Sequence, residues 1–202
     1  MLDRIRDTPG VVLDNRGYDA QWDEAEERLT GVIWKLERAQ SFTESAGNLA
    51  WQAFVAGDWQ RSLAVLDGAR SARRAAAARY ARQGIELRRV RIVEQPVSAY
   101  LQWELHSLKI TDECGRPVRV LDASQVKDLE RDQQLPELVV LGHLVLFEVC
   151  YDENWAGCGA RRIDDPEVIR QAAGEIAQMW AKAEPLAGYF AREIAPLPIP
   201  SA

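Results

Sequence analysis

Residues 136–168, PELVVLGHLVLFEVCYDENWAGCGARRIDDPEV, decide the fold that this sequence predicts. Two apolar runs, 137–141 and 144–151, flank Gly142-His143. This arrangement is typical of two β-strands joined by a tight two-residue hairpin turn. The stretch therefore predicts an antiparallel pair at the centre of the C-terminal half.

The second part of the same stretch predicts a third strand and the start of a helix. Residues 155–163 contain two glycines, which favours a strand with a bulge at one of them. Asp164 or Asp165 then precedes Pro166. A carboxylate can cap the first amide groups of a helix, and proline suits the first helical position. We expect the last long helix to begin here.

Upstream of this stretch the hydrophobic period changes twice. Residues 86–93 alternate as a strand does, 99–113 repeat as an amphipathic helix, and 118–121 suit a short strand. Taken with the later strands, residues 85–195 predict a unit of order βαβββα. Helices should cover at least one face of its sheet. The fold class predicted is α+β.

The N-terminal region, residues 1–84, predicts mainly helices packed on that unit. Residues 45–57 and 58–83 favour an αα-hairpin, with Asp58 as a cap between them. The period of residues 32–40 fits both a strand and a helix, and their Val, Ile and Trp content favours the strand. The proline-rich tail, residues 196–202, predicts disorder.

Composition and charge exclude some classes of protein. The 202 residues are 47% hydrophobic, with a net charge of −6 and three cysteines. No apolar run approaches the ~20 residues of a membrane span. The first residues lack the apolar core of a signal peptide, and an odd cysteine number argues against a secreted disulfide framework. The expected location is the cytoplasm, with no membrane contact.

Eight arginines between Arg70 and Arg91 form a basic segment in an otherwise acidic chain. Arg73, Arg74, Arg79 and Arg82 fall on adjacent faces of one predicted helix. They suit an acidic partner protein or, through phosphate contacts, a nucleic acid. A solvated helix face is the simpler alternative.

Three residues are candidates for catalysis if the protein is an enzyme. His106 and Lys109 share one face of a predicted helix, where they could bind a phosphate group. A solvated face with a half-buried histidine is the alternative. Glu148 lies mid-strand and could pair with Glu104 for acid–base chemistry. The alternative role for Glu148 is a structural ion pair with Arg161 or Arg162 on the neighbouring strand.

Aromatic and sulfur-containing residues add candidates for binding but not for a cofactor. Trp103, Glu104, His106 and Trp155 are the expected pocket residues, since a tryptophan beside a turn often lies at an interface. The cysteines contain no Cys-x-x-Cys pair, and a closed zinc site needs four ligands. Neither a metal nor another cofactor is expected.

Three pairs of motifs resemble an actinobacterial family of unknown function. They are WKLERAQ at 34–40 with Phe42, WQAF at 51–54 with GDW at 57–59, and YLQWELH at 100–106 with PELVV at 136–140. Members of that family are often encoded beside helix-turn-helix regulators. The resemblance therefore implies an accessory or regulatory role, with such a regulator as a possible partner.

Residues 136–142 also look like the strand hairpin of a phospholipase D-type half-domain. The catalytic His-x-Lys positions of that fold are not filled here. This second resemblance implies a binding domain derived from an enzyme fold, as in sugar-sensing regulators of similar arrangement.

Three hypotheses about function follow. The first is a non-enzymatic regulatory or accessory protein that binds a partner protein or a small ligand. The second is a phosphoesterase-like enzyme acting on a phosphorylated small molecule or nucleotide. The third is nucleic-acid binding through the basic segment.

Overall fold

One mixed β-sheet of eight strands runs through residues 2–131 and 133–200, which the computed structural model describes. The strands are Val11–Leu13 (β1), Gly31–Glu37 (β2), Ile85–Val93 (β3), Val118–Asp122 (β4), Leu138–Leu141 (β5), Val145–Tyr151 (β6), Gly157–Ile163 (β7) and Glu184–Pro185 (β8). The strand predicted from the ambiguous segment is confirmed as β2.

Seven α-helices accompany the sheet in the described residues. They are Asn15–Arg28 (α1), Leu49–Val55 (α2), Trp59–Gly68 (α3), Arg70–Arg82 (α4), Ala99–Glu113 (α5), Pro166–Lys182 (α6) and Leu186–Tyr189 (α7). Short 3-10 turns span Leu2–Asp7 and Ala123–Leu129, and a π-helical turn spans Phe190–Ile194. The predicted caps Asp58 and Asp165 each accept hydrogen bonds from first-turn amide groups, and Ser98 does the same at the start of α5.

The strand order is β1-β7-β6-β5-β2-β3-β4-β8. Strands β2, β3 and β4 are parallel neighbours, and helices connect them in sequence. Strands β5, β6 and β7 form an antiparallel meander. Strand β2 joins the two halves, because it is parallel to β3 and antiparallel to β5. The α+β class predicted from the sequence is confirmed.

Helices cover both faces of this sheet. Helix α6 packs on one face, where Trp34, Leu36, Val90 and Ile92 contribute to the largest apolar cluster. Helix α1 covers part of the opposite face, over Phe147 and its neighbours. Helix α5 covers another part of that face, over β3 and β4. The two faces are called here the α6 face and the α5 face.

The observed elements differ from the predictions in three places. Residues 85–163 form five strands, as the individual predicted segments do, so the order βαβββα omits one strand; β4 belongs to the parallel half and precedes the whole meander. The boundary expected after residue 84 falls between β2 and β3, which are hydrogen-bonded neighbours. The hairpin loop has three residues, since Leu141 pairs with Val145.

The two ends of the chain carry more structure than the sequence predicts. Helix α1 begins at Asn15 with Asp14 as its cap. In the tail, the carbonyl group of Pro198 accepts a hydrogen bond from Gln102 Nε2 at 2.9 Å. Residues 201–202 of the tail lie outside the described residues.

Candidate functional site

An open cleft of about 520 Å³ lies on the α5 face, above the carboxyl ends of β2 and β3. Helix α5 forms one wall, and the connection between β2 and α2 forms another. The cleft exists because helix α1 and helix α5 cover different parts of this face. Binding sites in sheets with parallel strands often occupy this position, outside the carboxyl ends of the strands.

Strand alternation places charged residues on the floor of the cleft. In β2, Lys35 and Glu37 point to the α5 face, while Trp34 and Leu36 enter the apolar cluster under α6. In β3, Arg89 and Arg91 alternate in the same way with Val90 and Ile92. Successive side chains of a strand point to opposite faces, so each strand supplies two charged groups to one surface.

Arg91 is fully buried and forms an ion pair with Glu104 of α5. Its Nε donates to Glu104 Oε2 at 2.9 Å, and its Nη1 donates to the carbonyl oxygen of Ile92 at 3.1 Å. Its Nη2 lies 2.8 Å from Glu104 Oε2, a close ion-pair contact without the geometry of a hydrogen bond. A buried pair of this kind costs desolvation energy, which the attraction between its charges offsets only in part.

Three buried glutamates surround this arginine, and their pKa values diverge. Burial opposes ionisation of Glu37, but Arg89, Lys35 and Arg91 outweigh it and lower its pKa to about 2. Burial, with repulsion from Glu37, raises the pKa of Glu104 despite Arg91. Burial also raises the pKa of Glu137 to about 7. Around Arg91, one carboxylate that stays ionised, Glu37, therefore lies near two that take up protons more readily; Glu37 and Glu104 line the cleft, and Glu137 lines the neighbouring cavity.

Several polar atoms of this cluster lack hydrogen-bond partners among the described residues. Besides Nη2 of Arg91, these are Glu37 Oε2, Arg89 Nε and Glu137 Oε2. Lys35 Nζ lies 2.9 Å from Glu37 Oε1, and Arg89 Nη1 lies 3.4 Å from Glu37 Oε2. Unpartnered buried polar atoms are rare in native proteins, and each costs roughly 1–3 kcal/mol.

Aromatic side chains line the cleft on two sides, with Phe42 and Tyr151 facing Tyr100 of α5. Phe42 stacks on Tyr151 with ring centroids 5.1 Å apart, and it meets the edge of Tyr100 at 5.8 Å. The hydroxyl group of Tyr100 donates to Glu44 Oε1 at 2.7 Å. Burial and the nearby carboxylates raise the pKa of Tyr151 above its ordinary value. Tyr151 also separates the cleft from a second cavity, of about 450 Å³, beside Trp155.

The chain was compared with protein families, curated proteins and solved structures. The family model for DUF6879, a domain of unknown function, matches residues 20–191 of the sequence. The chain belongs to this family. No curated protein matched it.

One solved structure similar to this family member is described as TrmBL2, an archaeal chromatin protein with a novel mode of DNA binding. The two share 12% sequence identity with a TM-score of 0.45. The match covers 87% of this chain and 52% of the other, so the chain spans about half the length of that structure.

The residues predicted to line a pocket lie in three separate places. Trp103 and Glu104 line the cleft. Trp155 lines the neighbouring cavity. His106 packs between the rings of Trp59 and Phe190, at 5.1 and 4.8 Å. Burial, followed by the charge of Lys109, lowers the pKa of His106.

The three candidates for catalysis do not come together. Lys109 forms an ion pair with Glu113 on the same helix and lies over the Phe190 ring. Glu148 lies on the α6 face, since it shares its side of β6 with Leu146. It pairs with Arg161, which was one of the two partners expected for it. The sheet separates Glu148 from helix α5.

The basic segment does not form one continuous positive surface. Arg73 donates hydrogen bonds to Ser107 and Thr111 and so fastens α4 to α5. Arg79 pairs with Glu26 of α1. Arg74 and Arg82 are exposed. Two further arginines of the segment are also absent from the outer surface, because Arg89 lies on the cleft floor and Arg91 is fully buried beside Glu104.

Five residues of the cleft and its neighbour escaped the sequence reasoning. They are Lys35, Glu37, Arg89, Arg91 and Glu137. The signal for the first four was present, because charged residues recur at one parity of strands whose other parity is apolar. Such alternation is usual for a strand with one solvated face, so it does not by itself distinguish a site from a surface.

No metal site and no membrane-crossing helix are found within the described part of the chain. Among residues 2–131 and 133–200, no group of three or more His, Cys, Asp or Glu side chains is arranged to hold a metal ion. Cys114, Cys150 and Cys158 are free thiols. The described helices are too short or too polar to traverse a bilayer.

Proposed function

We propose that the protein is a regulatory or accessory protein that binds a small polar ligand in the cleft above β2 and β3. The observation that supports this most directly is the group of buried, unpartnered polar atoms on the cleft floor. A ligand with hydrogen-bond donors and acceptors would meet Glu37 Oε2 and Arg89 Nε, two of these atoms whose residues line the cleft. Hydrogen bonds between a ligand and these charged side chains are strong, because the cleft is partly desolvated.

The walls of the cleft suggest the size and shape of this ligand. A volume of about 520 Å³ is within the usual range for small-molecule sites. Phe42, Tyr100 and Tyr151 offer ring faces and edges on one side. A planar polar molecule, with donors directed at Glu37 and Glu104, is the ligand that these walls favour.

A thermal-shift screen of polar metabolites against the full chain tests this proposal. Each stabilising compound is then titrated into the wild type and into Glu104→Gln by calorimetry. The variant should lose at least about tenfold in affinity, the value of one good hydrogen bond. Glu113→Gln is the matched control, because Glu113 lies on the same helix but pairs with Lys109 and Arg70 outside the cleft. Failure of all compounds, or equal binding by both variants, would contradict the proposal.

The regulatory part of the proposal concerns a partner protein. The resemblance described above suggests the product of a neighbouring helix-turn-helix gene. Co-elution of the two purified proteins in size-exclusion chromatography, with and without the ligand, measures this association. Absence of co-elution under both conditions would contradict the proposed association with a regulator, but not the proposed ligand binding.

Proton-transfer catalysis is a second candidate, which one observation favours. Glu37 and Glu104 line the same cleft, and their pKa values shift in opposite directions. Paired carboxyl groups of this kind serve as base and acid in many enzymes. Turnover of a bound ligand that disappears in Glu37→Gln, while binding persists, would establish it. The phosphoesterase hypothesis that uses His106 and Lys109 has less support, since neither residue lines the cleft.

A further inference from the structure

The cavity beyond Tyr151 has features of a second site with its own chemistry. It holds about 450 Å³ at the end of the sheet, and we call it the Trp155 pocket. Tyr151 and Trp155 form its aromatic side, with ring centroids 5.8 Å apart. Glu137 lines its inner part.

The backbone of Trp155 is held in an unfavourable conformation. Its φ of +60° lies in the left-handed region, which a bulky residue rarely adopts. Its amide group donates to Asp152 O at 3.1 Å, and its carbonyl group accepts from the amide group of Thr43 at 2.9 Å. Thr43 Oγ1 also donates to the carbonyl oxygen of Asn154 at 2.6 Å. These bonds fix the strained turn from two sides.

This strain does not serve core packing, because Trp155 remains 50% exposed. The turn instead holds a large aromatic ring at the mouth of a cavity. Backbone strain that neighbouring contacts maintain is concentrated at functional sites in proteins. The strained backbone of Trp155 therefore supports a functional role for its exposed ring, which also contacts Tyr151.

Glu137 supplies an unused acceptor in the same cavity. Its side chain is 6% exposed, and its Oε1 accepts from the amide groups of Arg38 and Ala39 at 2.7 and 2.6 Å. Its Oε2 is buried without a hydrogen-bond partner among the described residues. A buried acceptor of this kind favours a ligand that brings a donor.

The other charges of the pocket leave it negative. Glu148 is already paired with Arg161 and Arg6. Asp152 and Glu153 lie at the exposed rim. Arg6 is the cation among the lining residues, set against four carboxyl groups. A neutral or anionic ligand would leave this excess of negative charge uncompensated.

We propose that the Trp155 pocket binds an organic cation, an alkylammonium or guanidinium group. Its N–H groups donate to Glu137 Oε2, and its apolar face lies against the rings of Trp155 and Tyr151. Cations bind to aromatic faces through the ring quadrupole, and charge-assisted hydrogen bonds to carboxylates are the strong ones. This site is separate from the cleft and does not depend on the function proposed for it.

The pH dependence of binding follows from the groups that face Glu137. These are Arg91 from β3, Glu37 from β2, the amide groups after β2, and Tyr151 from β6. Burial raises the pKa of Glu137 to about 7, although Arg91 opposes this. The cation needs the ionised carboxylate, so affinity should rise about tenfold between pH 6 and pH 8.

The test titrates ethylguanidinium chloride and butylammonium chloride into the full chain by calorimetry at constant ionic strength. Saturable binding is expected for at least one probe, while potassium chloride should give none. Glu137→Gln should weaken binding at least about tenfold. Glu153→Gln, at the exposed rim, is the matched control and should change affinity less than about twofold.

Trp155→Gly provides a variant that keeps the fold, because glycine adopts a positive φ without strain. It should weaken binding about fivefold through loss of the ring. A capped peptide with one arginine distinguishes the source of the cation: tighter binding than ethylguanidinium favours a protein ligand, and weaker binding favours a small molecule. Binding that is absent, shared with potassium, or unaffected by both Glu137→Gln and Trp155→Gly would overturn the proposal.

Discussion

Two arginine–glutamate pairs lie inside this protein, on opposite faces of one sheet, and they differ in how fully their hydrogen bonds are satisfied. On the α6 face, Arg161 contacts Glu148 through both Nε and Nη2, at 2.9 and 2.5 Å. It also donates to the carbonyl groups of Ile5 and Thr8. On the α5 face, Arg91 approaches Glu104 Oε2 through the same two nitrogens, Nε at 2.9 Å and Nη2 at 2.8 Å, but the Nη2 contact lacks the geometry of a hydrogen bond.

The first pair connects the N-terminal segment to the sheet. Among the described residues, neither Arg161 nor Glu148 has a buried side-chain atom that lacks a hydrogen-bond partner. The second pair lies in a cleft, beside two further glutamates with buried, unpartnered oxygens. A fully bonded buried pair is explained by structure alone. A buried pair with unmet groups costs stability, and the ligand proposed for the cleft would reduce this cost.

Arg91→Met should produce the largest change, because it leaves Glu37, Glu104 and Glu137 buried without their shared cation. The free energy of unfolding at pH 8 should fall by about 3–5 kcal/mol. The loss should shrink towards pH 5, where the carboxyl groups can be protonated. Urea denaturation at both pH values measures it, with Arg88→Met on the same strand as control. A loss that is the same at both pH values would contradict this account.

Glu137→Gln should change how stability depends on pH. The folded pKa of Glu137 is raised to about 7 from an ordinary value of 4.5, so the folded state holds more protons between these values. Glu137 therefore stabilises the wild type below pH 4.5, and this contribution is lost as pH rises through 7. The variant should gain about 2–3 kcal/mol over the wild type between pH 5 and pH 8. Urea denaturation at several pH values measures this difference. If the free energy of unfolding depended on pH in the same way in both proteins, the raised pKa of Glu137 would be refuted.

Arg161→Met tests the structural pair on the α6 face. It should lower the free energy of unfolding by about 2 kcal/mol, less than Arg91→Met, because Glu148 keeps Arg6 at 3.4 Å. Ligand affinity at the cleft should not change. Arg162→Met, whose partner Asp164 is exposed, is the control, with an expected loss below about 1 kcal/mol. Weaker ligand binding in Arg161→Met would remove the distinction between the two pairs.

The smallest effect is expected at the exposed arginines of α4. Arg74→Ser with Arg82→Ser should change stability by less than about 0.5 kcal/mol per site. The double variant also tests nucleic-acid binding. If the wild type binds duplex DNA through these residues, affinity should fall steeply with added salt, and the variant should bind more weakly. Equal binding by both proteins would exclude these arginines as phosphate contacts.

Much of the fold was predictable because local signals and tertiary structure agree. The start of α6 at Pro166 and the bulge opposite Cys150 and Tyr151 follow from residues close in sequence. The position of β2 between β3 and β5 was not predictable, since its two partners are distant in sequence. Glu104 was found as a candidate, but Arg91 was counted only as part of a basic segment.

The site required information that a single sequence does not carry. Glu37 and Glu137 come together only because β2 and β5 are paired, about a hundred residues apart in sequence. The left-handed backbone of Trp155 depends on Thr43 as well as on its own turn. His106 attracted attention as a titratable group, yet its neighbours are the rings of Trp59 and Phe190.

The central position of β2 has a consequence for synthesis of the protein on the ribosome. Residues 31–37 are translated early, but the antiparallel partner strand, Leu138–Leu141, emerges about a hundred residues later. Until then one edge of β2 has no partner, and its apolar residues Ile33 and Leu36 lack their cover. Unpaired strand edges of this kind promote aggregation of nascent chains. Slow translation between residues 37 and 138 should therefore lower the yield of folded protein and increase its dependence on chaperones.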